Sequence, residues 1–407
     1  MTPQDRPLGP AKQLAFSLFT VGGLLLCLNL VIEVADEGGL IETRTRDDGV
    51  QFLDQPLFER VGDGYQTSSY GRTQCVPSRF AVAKGDTLRV FLLGGSFAMG
   101  TPFVHQDHGE EREGGISTTI RAGLAAAGIH HEVLNVAAGA QNSTRVRAIA
   151  EEVVGYDPDL LVVATCNNEG VLPPTLVESR LHRYGLYRLV SRGISSMASR
   201  KRSLYTPQDP DTDAVRDAFR ENLRGIVRSA RDAGVPVLLC TLPINLRYRS
   251  NEMGHLIPGF DPAVIHQDAP CVAALQDLYG QGDFAGAEEA ARDCNTLDAM
   301  RLRGLALAGL GRAEEATRVL EQYTELVPRN RCRPSFNQVI REEAARSEGV
   351  TLVDLDAHAR RHSPQGIPGE ELFFDYCHMN QAGYALMAGE ILRVMDTIGL
   401  LRREGSP

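Results

Sequence analysis

Ser96 follows two glycines at the end of an apolar run, in "GGSFAMG". Further along, Gly139 lies in "NVAAGAQNSTR", Asn168 in "CNNE", and Asp375 stands three residues before His378 in "DYCHMN". Singly, each is bland: Gly-Gly-Ser is an ordinary turn, and Asp-x-x-His serves equally as a helix cap or a surface pair. Together, in this order, they are the parts of a nucleophilic site. A serine hydroxyl is a poor nucleophile until a neighbouring imidazole takes its proton. The imidazole in turn needs a carboxylate to fix its tautomer and balance its charge. Asp375 and His378 share one short loop, so one backbone turn orients both. The oxyanion that forms needs donors aimed at it. The backbone N–H groups of Ser96 and Gly139 and the side-chain amide of Asn168 supply three. Ser96, Asp375 and His378 are therefore expected to carry catalysis, and Ser96, Gly139 and Asn168 to form an oxyanion hole.

These residues need a scaffold that brings them to one rim. Apolar strands are expected at Leu88–Ser96, His131–Gly139, Asp159–Thr165, Val235–Pro243 and Val350–Leu355. Between them run stretches with helical spacing: Ile116–Ala127, the Val146–Val154 stripe, the Val215–Ala230 stripe, and a last helix over Gln381–Ile398. Short strands apolar on both faces, alternating with amphipathic helices, predict a parallel sheet covered on both sides. Ligands of such sheets sit beyond the carboxyl ends of the strands, where Ser96, Gly139 and Asn168 fall.

The four blocks, in this order, resemble the SGNH (GDSL-type) hydrolase superfamily. The resemblance covers about 87–260 and 332–400. It implies a flavodoxin-like three-layer α/β/α sandwich with a five-stranded parallel sheet of order 2-1-3-4-5. It also implies esterase, lipase, carbohydrate-deacetylase or acyl-transfer chemistry on an ester substrate of carbohydrate or lipid, with no cofactor and no metal. Three positions depart from the family pattern: Gly95 replaces the usual Asp before the nucleophile, Cys166 replaces the Gly of the third block, and Glu169 replaces its Asp. The "GGS" start of the first block, the "CNNE" variant and the helical insertion resemble a membrane-anchored bacterial branch with tetratricopeptide-like (TPR-like) insertions.

Residues 261–328 break the strand–helix alternation and are helical throughout in pattern. They repeat weakly: setting Gly282 on Gly311 aligns "LYGQGDFAGAEEA" with "LALAGLGRAEEA". Two such units are too few for a free-standing solenoid, so the insertion is expected to lean on the main domain. A plain helical hairpin and a protein-partner surface are both open readings. Cys271 and Cys294 lie equidistant from the turn "GQGD" of an antiparallel helix pair, level with each other, and are a disulfide candidate.

The chain has 407 residues and a formal net charge of −10. Its 43% hydrophobic content excludes wholesale disorder, and the acidic balance excludes the basic stripe a nucleic-acid binder needs. The basic "SRKRS" (Ser199–Ser203) is too short for such a patch, and His105 and His108 read as a solvated loop. One uncharged run, Leu14–Ile32, would span about 28 Å as a helix, close to the hydrocarbon thickness. Arg6 and Lys12 precede it and Glu33, Asp36 and Glu37 follow, so the positive-inside rule places the bulk of the chain outside the cytoplasm. A cleaved signal peptide competes, but no A-x-A-like site follows the run. The expected organisation is a cytoplasmic N-terminus (1–13), a transmembrane signal-anchor (14–32), a stalk or lead-in (33–86), a first hydrolase part (87–260), the insertion (261–328), a second hydrolase part (329–400) and a tail (401–407). The resulting expectation is a single-pass, extracytoplasmic (periplasmic or cell-surface) serine esterase. Its rivals are an O-acyltransferase acting on glycans and a non-catalytic binding or assembly protein that uses the insertion.

Overall fold

The computed structural model describes residues 10–41, 56–69, 71–105, 110–169, 181, 184–190, 212–248, 270–326 and 331–401. The expectations for His108, for Ser199–Ser203 and for the two ends of the insertion lie outside the described residues. The chain divides into two compact units, residues 55–172 with 203–407, and residues 1–54 with 173–202.

The larger unit is built on five parallel strands. They are β4 (Leu88–Gly94), β7 (His131–Asn135), β8 (Leu160–Ala164), β9 (Val237–Cys240) and β10 (Val350–Val353), side by side in the order β7-β4-β8-β9-β10. Counting these five alone, the order is 2-1-3-4-5. Val90, Leu92, Leu161, Val163 and Leu238 are fully or almost fully buried, because both faces of the central strands are covered by helices. Ile116–Ala126 packs with Gln381–Thr397, and Thr212–Asp232 packs with Ser143–Val153 and Pro334–Arg346. Two short strands, β5 (Val104–His105) and β6 (Glu110–Glu111), pair with each other, so His105 belongs to a strand pair and not a loop.

The lead-in is not a stalk over its described part. β1 (Phe58–Val61), β2 (Gly64–Thr67) and β3 (Arg79–Ala81) form a small antiparallel sheet. Leu57, Phe58 and Phe80 join the main core, where Phe58 and Phe80 meet edge to face at 5.0 Å. The fully buried Arg89 of β4 donates to the Ala81 carbonyl and pairs with Glu132 at 2.8 Å. Glu152 accepts from the backbone N–H groups of Leu57 and Phe58. The signal was present: Gly62-Asp63 is a two-residue hairpin turn, and Gly62 has φ +64°.

The insertion forms two helical hairpins, Pro270–Gly280 with Phe284–Arg292 and Leu297–Gly309 with Ala313–Leu326. The 29-residue offset carries Gly282 (φ +78°) onto Gly311 (φ +74°), so both hairpins turn at a left-handed glycine. Val272, Leu275, Ala291, Cys294, Ala299 and Leu302 make a small core of their own, while Leu305, Leu307, Ala316 and Leu320 belong to the main core. Cys271 and Cys294 are bridged across the first hairpin, with Cα atoms 5.9 Å apart.

In the smaller unit the helix Pro10–Glu37 is long and apolar enough to cross a bilayer, by length and composition. Phe16, Phe19, Leu24 and Leu30 are exposed on it, unlike the side chains of a soluble core helix. Its C-terminal end holds a second segment of chain. Arg188, almost fully buried, pairs with Glu33 at 2.9 Å and lies 3.6 Å from Asp36, and the Leu186 N–H donates to Asn29 Oδ1.

Candidate active site

Ser96 opens a one-turn helix, Ser96–Met99, directly after β4. The two preceding glycines are there for space. Gly94 has φ +152°, and a Cβ on it would lie 2.0 Å from the Ala164 carbonyl oxygen of β8. A Cβ on Gly95 would lie 2.7 Å from Asn168 Nδ2. Asn135, buried at the end of β7, donates to the Met99 carbonyl at 3.0 Å and holds the far end of the turn.

His378 Nε2 lies 2.7 Å from Ser96 Oγ, and its Nδ1 lies 2.6 Å from Asp375 Oδ2. The other Asp375 oxygen accepts from the backbone N–H groups of Cys377 and His378, at 2.8 and 2.7 Å. The loop is pinned from outside by Asn245, whose side chain donates to the Asp375 carbonyl and whose N–H donates to the Tyr376 carbonyl. Burial pushes the Asp375 carboxyl up, but the bonds from His378 and Cys377 more than offset it and leave it below its ordinary value. Burial pushes the His378 imidazole down, yet the adjoining Cys377 sulfur and the Asp375 carboxylate outweigh that, and it sits above its ordinary value. A serine proton moving to His378 would therefore land on a base whose cation is stabilised in place.

The other side of the site comes from the loops after β7 and β8. Residues 136–138 continue beside β4: the Val136 N–H donates to Leu92 O and the Ala138 N–H to Gly94 O, which carries Gly139 to the Gly94–Ser96 turn. Ala140 follows in the left-handed region at φ +58°, an uncommon and strained position for a residue with a Cβ. Asn168 Nδ2 donates one hydrogen to the Gln141 carbonyl at 2.9 Å; an amide nitrogen carries two, leaving one for a ligand. Thus the loops carrying Ser96, Gly139 and Asn168 converge on one rim, and His378 reaches Ser96 there.

Two supports of the Asn168 loop were not anticipated from the sequence. Cys166 is bridged to Cys332, 166 residues away, and Asn167 Oδ1 accepts from the Cys332 N–H at 2.8 Å. Glu169, buried, accepts from both the N–H and the hydroxyl of Ser143, at 2.6 and 2.8 Å. Burial pushes its carboxyl up to about 7 in spite of those bonds. Asn222 donates to the same Ser143 hydroxyl. The disulfide fills the place where the family's third block has a glycine. No spacing in the sequence named that pair. Among the described residues Cys27, Cys75, Cys240 and Cys377 remain free thiols. Donor atoms of Asp375, Cys377 and His378 lie within 4.8 Å of one another, the spacing of a metal-ligand group. Both His378 nitrogens, however, are engaged by Asp375 and Ser96.

A doubly covered parallel sheet with a Ser–His–Asp chain beyond its strand ends defines an α/β protein built for acyl chemistry. Residues 92–386 match the GDSL-like Lipase/Acylhydrolase family, and the chain belongs to it as an ester-bond hydrolase. Among solved structures it is similar to an acetyl xylan esterase from Geobacillus stearothermophilus (13% identity over 79% of this chain and 99% of that one, TM-score 0.39). It is also similar to a lipase/acylhydrolase from Enterococcus faecalis (15% identity, 78% and 98% covered, TM-score 0.37). No curated protein matches the chain.

Proposed function

We propose that the protein is a membrane-anchored, extracytoplasmic serine esterase that cleaves acyl or acetyl esters of a carbohydrate or lipid. The observation that carries the reading is the unbroken chain from Ser96 Oγ through His378 to Asp375, at 2.7 and 2.6 Å. Ser96 Oγ attacks the ester carbonyl as His378 Nε2 takes its proton. The oxyanion is met by the N–H groups of Ser96 and Gly139 and the free amide hydrogen of Asn168. Collapse of the tetrahedral intermediate breaks the bond to the alcohol, which leaves with the proton returned by His378. Water then repeats the sequence on the acyl-enzyme and releases the acid.

Two observations support the location. Two disulfides suit an oxidising compartment. The helix Pro10–Glu37 is long and apolar enough to cross a bilayer and leaves Phe16, Phe19, Leu24 and Leu30 exposed, which suits a membrane-spanning segment.

The test is a panel of esters (p-nitrophenyl acetate to palmitate, and acetylated oligosaccharides) offered to the detergent-solubilised full chain. Hydrolysis by wild type and none by Ser96→Ala is the expected result. Turnover that survives Ser96→Ala, or no turnover of any ester, would overturn the reading.

A further inference from the structure

A cavity of about 430 Å³ opens between the insertion and the segment that leads into the Asp375–His378 loop. That volume falls in the range of small-molecule sites. Tyr279, Leu305 and Ala308 of the insertion line one side; Gln365, Glu370, Glu371 and Arg247 line the other. Gln365 is one of three non-glycine residues among those described with positive φ, at +57°. A second is Ala140 in the Gly139 loop. Backbone strain of this kind gathers at functional surfaces.

The wall is tied to the catalytic loop. Asn380, two residues after His378, donates to the carbonyls of Glu370 and Glu371, both at 3.1 Å. The Leu246 and Arg247 N–H groups donate to the Pro368 carbonyl, and Asn245 next to them holds Asp375. Two peptide steps from His378 to Asn380 and the Asn380 side-chain bonds put Glu370 and Glu371 within about 15 Å of His378. A small ester at Ser96 does not reach that far, whereas an oligomer does.

The lining states the ligand's chemistry. Arg247 is paired with Glu371, and Glu370 adds a second carboxylate, so the wall does not attract anions. Pro364 and Ile367 stand on that side too, but two carboxylates, an amide and a guanidinium among them are wrong for an acyl chain. An apolar strip with one aromatic ring, opposite a row of donors and acceptors, matches a pyranose, which has C–H faces and hydroxyl edges. We infer that this cavity is a carbohydrate subsite, holding the glycan part of the ester while the acyl group sits at Ser96. The insertion thereby acts as a specificity element. The inference rests on the carbohydrate branch of the reading above.

The experiment compares acetylated xylohexaose with p-nitrophenyl acetate on the full chain, for wild type, Tyr279→Ala and Ala308→Tyr. Neither variant touches the reacting groups. KM for the oligosaccharide is expected to rise about tenfold with kcat nearly unchanged, while p-nitrophenyl acetate kinetics stay within about twofold. An unchanged oligosaccharide KM in both variants, or an equal loss on both substrates, overturns the subsite. Wild type that cleaves p-nitrophenyl esters but not the acetylated hexaose overturns the carbohydrate branch and the subsite with it, leaving the esterase standing.

Discussion

Asp375 and His378 lie on one loop, and the bonds that orient them are mostly made within it: Asp375 accepts from the Cys377 N–H, the His378 N–H and the His378 ring. Gly139 and Asn168 are held differently. Their loops follow different strands and are clasped by contacts far apart in the chain: Asn168 to Gln141, Glu169 to Ser143, and Cys166 to Cys332. The side proposed as the general base is thus locally encoded, and the side proposed as the oxyanion hole is assembled. A locally encoded side should fail through its own residues. An assembled side should fail through its supports as well.

The largest effects belong to the first side. Ser96→Ala is expected to lower kcat by about 10⁶-fold, with His378→Ala close behind and the double variant no worse than Ser96→Ala alone. Losses that added in the double variant would break the idea of a single unit. Asp375→Asn should cost about 10⁴-fold, because the ring keeps its place but loses its tautomer control and counter-charge. It should also move the pH profile. Only neutral His378 accepts a proton, so kcat/KM rises with pH through the imidazole's pKa, which in wild type lies above 6.5. Removing the carboxylate shifts that rise to lower pH, and a rise that stayed put would deny Asp375 its role.

The second side should give smaller effects. Asn168→Ala is expected to lower kcat by about 10²–10³-fold with little change in KM, since its contact strengthens only as the oxyanion forms. The sharpest test of assembly compares the two disulfides. Cys166→Ala/Cys332→Ala should lower kcat by about tenfold, at unchanged KM for p-nitrophenyl acetate, by loosening the turn that presents Asn168. Because it closes a long loop, its loss should also lower unfolding free energy by on the order of 2–5 kcal/mol. Cys271→Ala/Cys294→Ala should destabilise the insertion and leave kcat on the small ester unchanged. Equal effects on kcat would erase the distinction.

The same contrast explains what was legible in the sequence. Continuous apolar runs marked all five sheet strands, and most plainly the inner three, β4, β8 and β9, which are buried on both faces. The contact between Asp375 and His378 was legible because the two stand three residues apart in one loop, although that spacing alone is bland. Residues 56–81 read as polar lead-in, since the few apolar anchors, Leu57, Phe58 and Phe80, are spread among glycines and charges. The Cys166–Cys332 bridge and the Glu169–Ser143 clasp were invisible for a different reason. Each joins loops that only the folded sheet brings together, so no spacing in the chain announces them. Cys271–Cys294 was legible because a single helical hairpin sets its geometry. Arg188, which pairs with the end of the apolar helix more than 150 residues earlier, left no local trace either.

Ser96 is proposed as the activated nucleophile. The most direct test of this is labelling of the full chain with a fluorophosphonate, followed by peptide mapping and repeated on folded Ser96→Ala. The account predicts a single adduct on Ser96 in wild type, none in Ser96→Ala, and slower labelling in Asn168→Ala. An adduct on another residue, or undiminished labelling of Ser96→Ala, would contradict it.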